Sequence, residues 1–163
     1  MLADGRLIFD PPLAAVRFVL QADPASVQLG LRQAMAVPPL SLLTDAARGD
    51  AQIVLAEVLN NVVEHAQDAP MTLASAAAGI RAGPKRAVQI TLWLHLVQGQ
   101  LHCWVEDGGL PMRGGIPEAG VLPDPQDLPE GGFGWHLIRS LCHGLSYRRW
   151  KNMNQLIFLI EAG

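Results

Sequence analysis

The chain is poor in cysteine: two, Cys103 and Cys142, in 163 residues. Neither stands in a CxxC or Cys/His spacing, which excludes a disulfide framework or a zinc site and leaves two buried thiols in a reducing cytoplasm. It is also poor in charge. Charged residues make up 17%, below the usual share of about 25%. The formal charge of −3 supplies no basic field, so neither nucleic acid nor an anionic membrane surface is an expected partner. No apolar run reaches the ~18 residues of a membrane span. The most apolar stretch, Val88 to Val105, is broken by Gln89, His95, Gln98, Gly99, Gln100 and His102. Met1 to Pro12 lacks the basic start and long apolar centre of a signal peptide. A cytoplasmic protein is expected.

Hydrophobic residues, at 50%, are plentiful enough to exclude disorder. The length suits a single domain over residues 1–163 with a real core. Glycine and proline are bunched: eight Gly and five Pro fall among the 27 positions from Gly108 to Gly134. Elsewhere the composition is ordinary, so a collagen-like or low-complexity chain is excluded. One long, irregular loop remains, and loops beyond roughly 12–15 residues usually carry function or lack order.

Periodicity sets out the elements. Ala14 to Ala22 reads as a strand. Asp23-Pro24 then offers an N-cap and a first helical residue for a helix over Ala25 to Val37. Ser41 to Asp45 is a connection or short helical turn. Arg48 to Ala66 is the most regular helix, with Leu55, Val58, Leu59, Val62, Val63 and Ala66 on one stripe. Asp68 to Arg86 reads as a connector, with a short helix near Leu73–Ala78. Val88 to Val97 and Leu101 to Glu106 alternate as strands of a hairpin turning at Gln98-Gly99-Gln100. After the Gly/Pro loop, Gly134 to His143 reads as a helix stopped by Gly144. Leu145 to Trp150 and Gln155 to Ile160 close the chain as a hairpin around Lys151–Asn154. This order predicts an α+β, two-layer fold: a mixed or antiparallel sheet with helices on one face.

Three clusters carry candidate chemistry. Glu57, Asn61 and His65 repeat every four residues on a stripe of the long helix nearly opposite its apolar one. Such a stripe is most often merely solvated. Yet an Asn oxygen can hold Mg²⁺, and a Glu one turn away can accept a proton from a hydroxyl. Asp107 ends an apolar strand before Gly108-Gly109-Leu110-Pro111. A plain turn explains it, as does a carboxylate that accepts from an exocyclic amine while glycine lets a flat ring approach. Gly131-Gly132-Phe133-Gly134 runs straight into a helix; a flexible helix entry explains it, as does a phosphate site made by the exposed N–H groups. It is neither a P-loop nor a dinucleotide fingerprint.

Taken in this order, the clusters resemble the motifs of the GHKL ATPases, the Bergerat-fold superfamily of gyrases, chaperones, histidine kinases and mismatch-repair proteins. Within it the chain looks most like the small bacterial anti-sigma-factor serine/threonine kinases, over about Arg17 to Ile160. Glu57, Asn61 and His65 match the N box. Asp107, Gly109 and Pro111 match the first glycine box. Gly132, Gly134 and Trp135-His136-Leu137-Ile138-Arg139 match the second. Phe18 to Pro24 and Asn154-Gln155-Leu156 resemble the family's two ends.

The resemblance implies ATP and Mg²⁺ as cofactors. Asn61 would hold the metal, Asp107 the adenine amine, and Glu57 would be the general base. His65, Gly109, Pro111, Gly131, Gly132, Phe133, Gly134 and Trp135 would line the nucleotide, and residues 113–131 would form the ATP lid. It further implies a partner switch that phosphorylates a STAS-domain anti-sigma-factor antagonist, with a sigma factor as a second client and a homodimer as the assembly. Trp135 and His136 are bulkier than the family's usual residues there. They motivate a second reading, a module that binds ATP or ADP and sequesters a partner without catalysis. A third, a histidine-kinase catalytic domain, fits the site but not the short stretch before Glu57.

Overall fold

The computed structural model describes residues 9–67, 87–112 and 133–163. Among them five strands form one antiparallel sheet in the order β1-β2-β3-β5-β4. The strands are β1 (Val16–Gln21), β2 (Gln89–Val97), β3 (Gln100–Asp107), β4 (His143–Trp150) and β5 (Met153–Glu161). Three helices, α1 (Pro24–Met35), α2 (Asp45–Gln67) and α3 (Phe133–Leu141), complete the fold with a 3-10 turn at Leu40–Leu42. The expected α+β sandwich is present, and every strand pair is antiparallel.

Local chemistry explains the boundaries. Asp23 caps α1: its Oδ1 accepts from the Ser26 backbone N–H at 2.9 Å, and Pro24 opens the helix. Both hairpin turns use two residues at positive φ, Gln98-Gly99 (51° and 76°) and Lys151-Asn152 (47° and 65°). Two left-handed residues match the twist of the flanking strands. Several expected boundaries move. α2 begins at Asp45 rather than Arg48, because the Arg48 N–H already bonds Thr44 O at 2.8 Å. α3 ends at Leu141, before Gly144. Gly144 lies inside β4 at φ 61°, where the pairing register shifts between His143 and Ser146. It makes a bulge, and it is not the helix stop. Met153 and Asn154 belong to β5 and not to the turn.

The core lies between the helices and one sheet face. Alternation sends Ile90, Leu92 and Leu94 of β2, Leu101, Cys103 and Val105 of β3, and Leu156, Phe158 and Ile160 of β5 into it. They meet Ala51, Val54, Leu55, Val58, Leu59 and Val63 of α2 and Ile138 of α3. Burying each of the larger side chains contributes about 1.5–3 kcal/mol. Asp107 and Asn154 sit on the same inward face as these residues, directly opposite each other in the β3–β5 register. That placement puts polar groups at the rim of an apolar layer. Trp93 and Trp104 pair on the outer face. Burial keeps both cysteines as thiols: it holds Cys103 well above 9.0 and Cys142 at about 11. The expected connector at 68–86 and the expected lid at 113–131 fall outside the described residues.

Candidate functional site

A cleft of about 440 Å³ opens at the rim where α2, α3 and the sheet meet. Asn61 and His65 of α2, Asp107 of β3, Met112, Trp135 of α3 and Tyr147 of β4 line it over an apolar floor. Two of the three residues of the polar stripe of α2 thus line the cleft, Asn61 half-buried and His65 exposed, while Glu57 stands beside the start of α3 outside that lining.

One end is organised around Asp107. Its Oδ1 accepts from the Gly109 backbone N–H at 2.8 Å and from Asn154 Nδ2 at 2.8 Å. Asn154 Nδ2 also donates to Leu110 O at 2.8 Å. Asn154 Oδ1 accepts from Tyr147 Oη at 2.9 Å and from Arg149 Nη1 at 2.6 Å. Tyr147, the chain's single tyrosine, accepts in turn from the Met112 N–H at 3.1 Å. Arg149 Nη1 also donates to Gly109 O at 2.9 Å. Burial raises the Asp107 carboxyl above 3.8, and the Asn154 and Gly109 donors and the charges of Arg149 and His65 pull it back. Gly109 therefore shapes the site through its backbone. Pro111 is exposed.

The other end joins α2 to the start of α3. A Cβ on Gly134 would stand 2.6 Å from Glu57 Oε2 and 3.9 Å from Asn61 Oδ1. A side chain there would push the Glu57 carboxylate aside but would leave Asn61 in ordinary contact. Asn61 Nδ2 is buried without a hydrogen-bond partner among the described residues. An orphaned buried amide costs about 1–3 kcal/mol, so this end favours a ligand that pairs with it. The donor set (a carboxylate, a carboxamide oxygen and a helix N-terminus) suits a hard cation with its phosphates. Gly131 and Gly132 lie outside the described residues, and Phe133 opens α3.

The family model of the histidine kinase-like ATPase domain matches residues 20–160. The chain belongs to this family. A search of curated proteins finds no match. Domains of this family bind ATP, usually with Mg²⁺. In this histidine kinase-like ATPase domain no described helix is long and apolar enough to cross a membrane.

Sequence reasoning missed Tyr147 and Arg149 and treated Asn154 only as part of a terminal resemblance. Their signal is cross-strand. The Lys151-Asn152 turn fixes the register that sets Arg149 opposite Asn154 and Tyr147 opposite Leu156. Once the turn is placed on those two residues, period-2 alternation brings all three to the face of Asp107.

Proposed function

We propose that this protein is an ATP-dependent serine/threonine protein kinase of the cytoplasm. It would act as an anti-sigma factor in a partner switch, phosphorylating a STAS-domain antagonist, with a sigma factor as second client and a homodimer as the working assembly. The observation that carries the reading is the contact of Glu57 with the start of α3 beside Asn61. That contact supports reading Glu57 as a base beside Asn61 as a metal ligand, at a helix end suited to phosphate.

Asn61 Oδ1 would offer an oxygen to the cation. Asp107 would accept from the adenine amine. Glu57 would take the proton from an incoming serine or threonine hydroxyl, raising its nucleophilicity. When bound, Mg-ATP supplies the phosphoryl group and the cation that offsets its charge, so positioning and a base are what the chain itself must contribute. A labelled-phosphate transfer assay with the cognate antagonist tests this. Glu57→Ala should lower transfer by about 10²–10⁴ while nucleotide binding persists. Equal transfer by wild type and variant removes Glu57 from the mechanism.

One observation favours a second reading. Trp135 stands in the cleft wall at the start of α3, where bulk would restrict movement of the phosphates. A binding module that sequesters its partner without catalysis would show tight Mg-ATP binding by calorimetry and no transfer by wild type.

A further inference from the structure

The Asp107 end contains a hydrogen-bond chain whose polarity is fixed by its outermost member. Arg149 carries only donors. The Asn154 atom it meets at 2.6 Å is therefore the amide oxygen, and that oxygen also takes the Tyr147 hydroxyl at 2.9 Å. The other Asn154 terminus is then the NH₂, which spends its two hydrogens on Asp107 Oδ1 and Leu110 O. The Gly109 N–H likewise only donates to Oδ1. Two donors thus meet one oxygen of residue 107 and force that atom to be an acceptor. Whatever hydrogen-bonding choice residue 107 retains is expressed by its other terminus.

We infer that Arg149, Tyr147 and Asn154 are positioning residues for purine selectivity. They lock Asn154 as a donor to Asp107 Oδ1, so that Oδ2 is the atom presented to the base and selects a 6-amino over a 6-oxo purine. This rests on the reading of the cleft as a purine site. The selectivity lies less in the carboxylate alone than in the direction of the chain behind it. A free carboxyl could place a proton on either oxygen. Here a proton could sit only on Oδ2, which would then donate to a 6-oxo group and no longer accept from an amine. The chain also opposes that protonation, because the Asn154 donor and the Arg149 charge both act against burial at Asp107.

The lock makes an unusual demand of the isosteric variant. In Asp107→Asn the amide at 107 must turn its oxygen toward Asn154 Nδ2 and the Gly109 N–H. Its NH₂ then faces the cleft, where it donates to a 6-oxo group and repels an amine.

The experiment is calorimetric titration of the full chain with Mg-ATP and Mg-ITP between pH 5 and 8, with folding checked by circular dichroism. Wild type should prefer ATP, and ATP affinity should fall at the acid end as Oδ2 gains its proton. Asp107→Asn should prefer ITP by about tenfold or more, the worth of one polar contact turned from satisfied to unsatisfied. Arg149→Met, at an exposed side chain, should keep the fold and lower the ATP-to-ITP ratio about threefold to tenfold. Its acid loss of ATP binding should begin at higher pH than in wild type. Adding Arg149→Met to Asp107→Asn should bring the ratio back toward one, since Asn154 can then turn over.

Two results overturn the lock: Asp107→Asn binding both nucleotides equally weakly, or Arg149→Met lowering both affinities alike with an unchanged pH profile. A different result overturns the purine site itself. If Asp107→Asn leaves both affinities at the wild-type value, or wild type binds neither nucleotide, the base does not sit at Asp107.

Discussion

At the Asp107 end of the cleft, Asn154 spends both its hydrogens and both its lone pairs on protein partners. At the Glu57 end, Asn61 Nδ2 has no partner among the described residues. Both are carboxamides beside a carboxylate, and both lie at the rim of the same core. The difference is one of timing. The first is pre-organised, so a base that docks there need not order the side chains it meets. The second leaves one amide group open among the described residues, so a ligand docking there would find a donor to pair with. Selectivity suits the rigid end, and chemistry that must change hydrogen-bond partners suits the open one.

Variants at each end should separate these roles. The largest effect is expected for Asn61→Leu. Mg-ATP affinity should fall about 10–100-fold and lose its Mg²⁺ dependence, the scale on which metal-site changes act. Adenosine binding, which uses only the Asp107 end, should be unchanged. Equal losses for both ligands in calorimetry would mean that the two ends are not separable.

Gly134→Ala comes next. Its Cβ would fall 2.6 Å from Glu57 Oε2, but a carboxylate on a flexible stem can move aside. Stability should stay within about 1 kcal/mol, since alanine is also the better helix former. Phosphate transfer should still drop about tenfold, as a base displaced by an ångström costs that much or more. Unchanged transfer at unchanged stability would show that the contact is incidental.

Tyr147→Phe should be milder. It removes one donor to Asn154, and adenosine should bind about threefold to tenfold more weakly, the net worth of one hydrogen bond. The Mg²⁺ dependence should not change.

The smallest effect concerns pH. The folded Asp107 carboxyl is raised above 3.8 mainly by burial. The folded chain therefore binds that proton more tightly than the unfolded chain. Its stability contribution is best below the unfolded value, declines as pH rises through the raised one, and is flat above it. Asp23, lowered by its bonds to Ser26, acts in the opposite sense: its contribution is lost as pH falls through the lowered value. Urea denaturation at acid pH should show Asp107→Asn flattening the first trend and Asp23→Ala the second. No change in either variant would mean that other groups govern acid stability.

How much of this was legible depended on whether the signal was local. The Glu57–Asn61–His65 repeat and the Asp107-Gly108-Gly109 turn announce themselves within a few residues, because helical period and strand alternation are short-range. So did the Asp23-Pro24 start of α1. The start of α2 was missed because Asp45, Ala46 and Ala47 carry no apolar stripe of their own, and the backbone bond from Arg48 to Thr44 decides it. Gly144 looked like a helix stop because glycine fits both a C-cap and a bulge, and only the β4–β5 register distinguishes the two. The Asn154 network was hidden for the same reason. Its members touch through register, and the register follows from a turn of two residues with no glycine.

One consequence of α2 concerns length more than composition. The helix presents Val58 and Leu59 to the core and Asn61 to the cleft. Each residue along it advances the phase by about 100°. A single residue inserted between Asp45 and Glu57 would keep every side chain that matters and still fail. Either the apolar stripe stays seated and the N-terminal turn is sheared, or Glu57 and Asn61 swing off the site while polar groups enter the core. Substitution can wear this helix down gradually; a change of one in its count would disable packing and chemistry together.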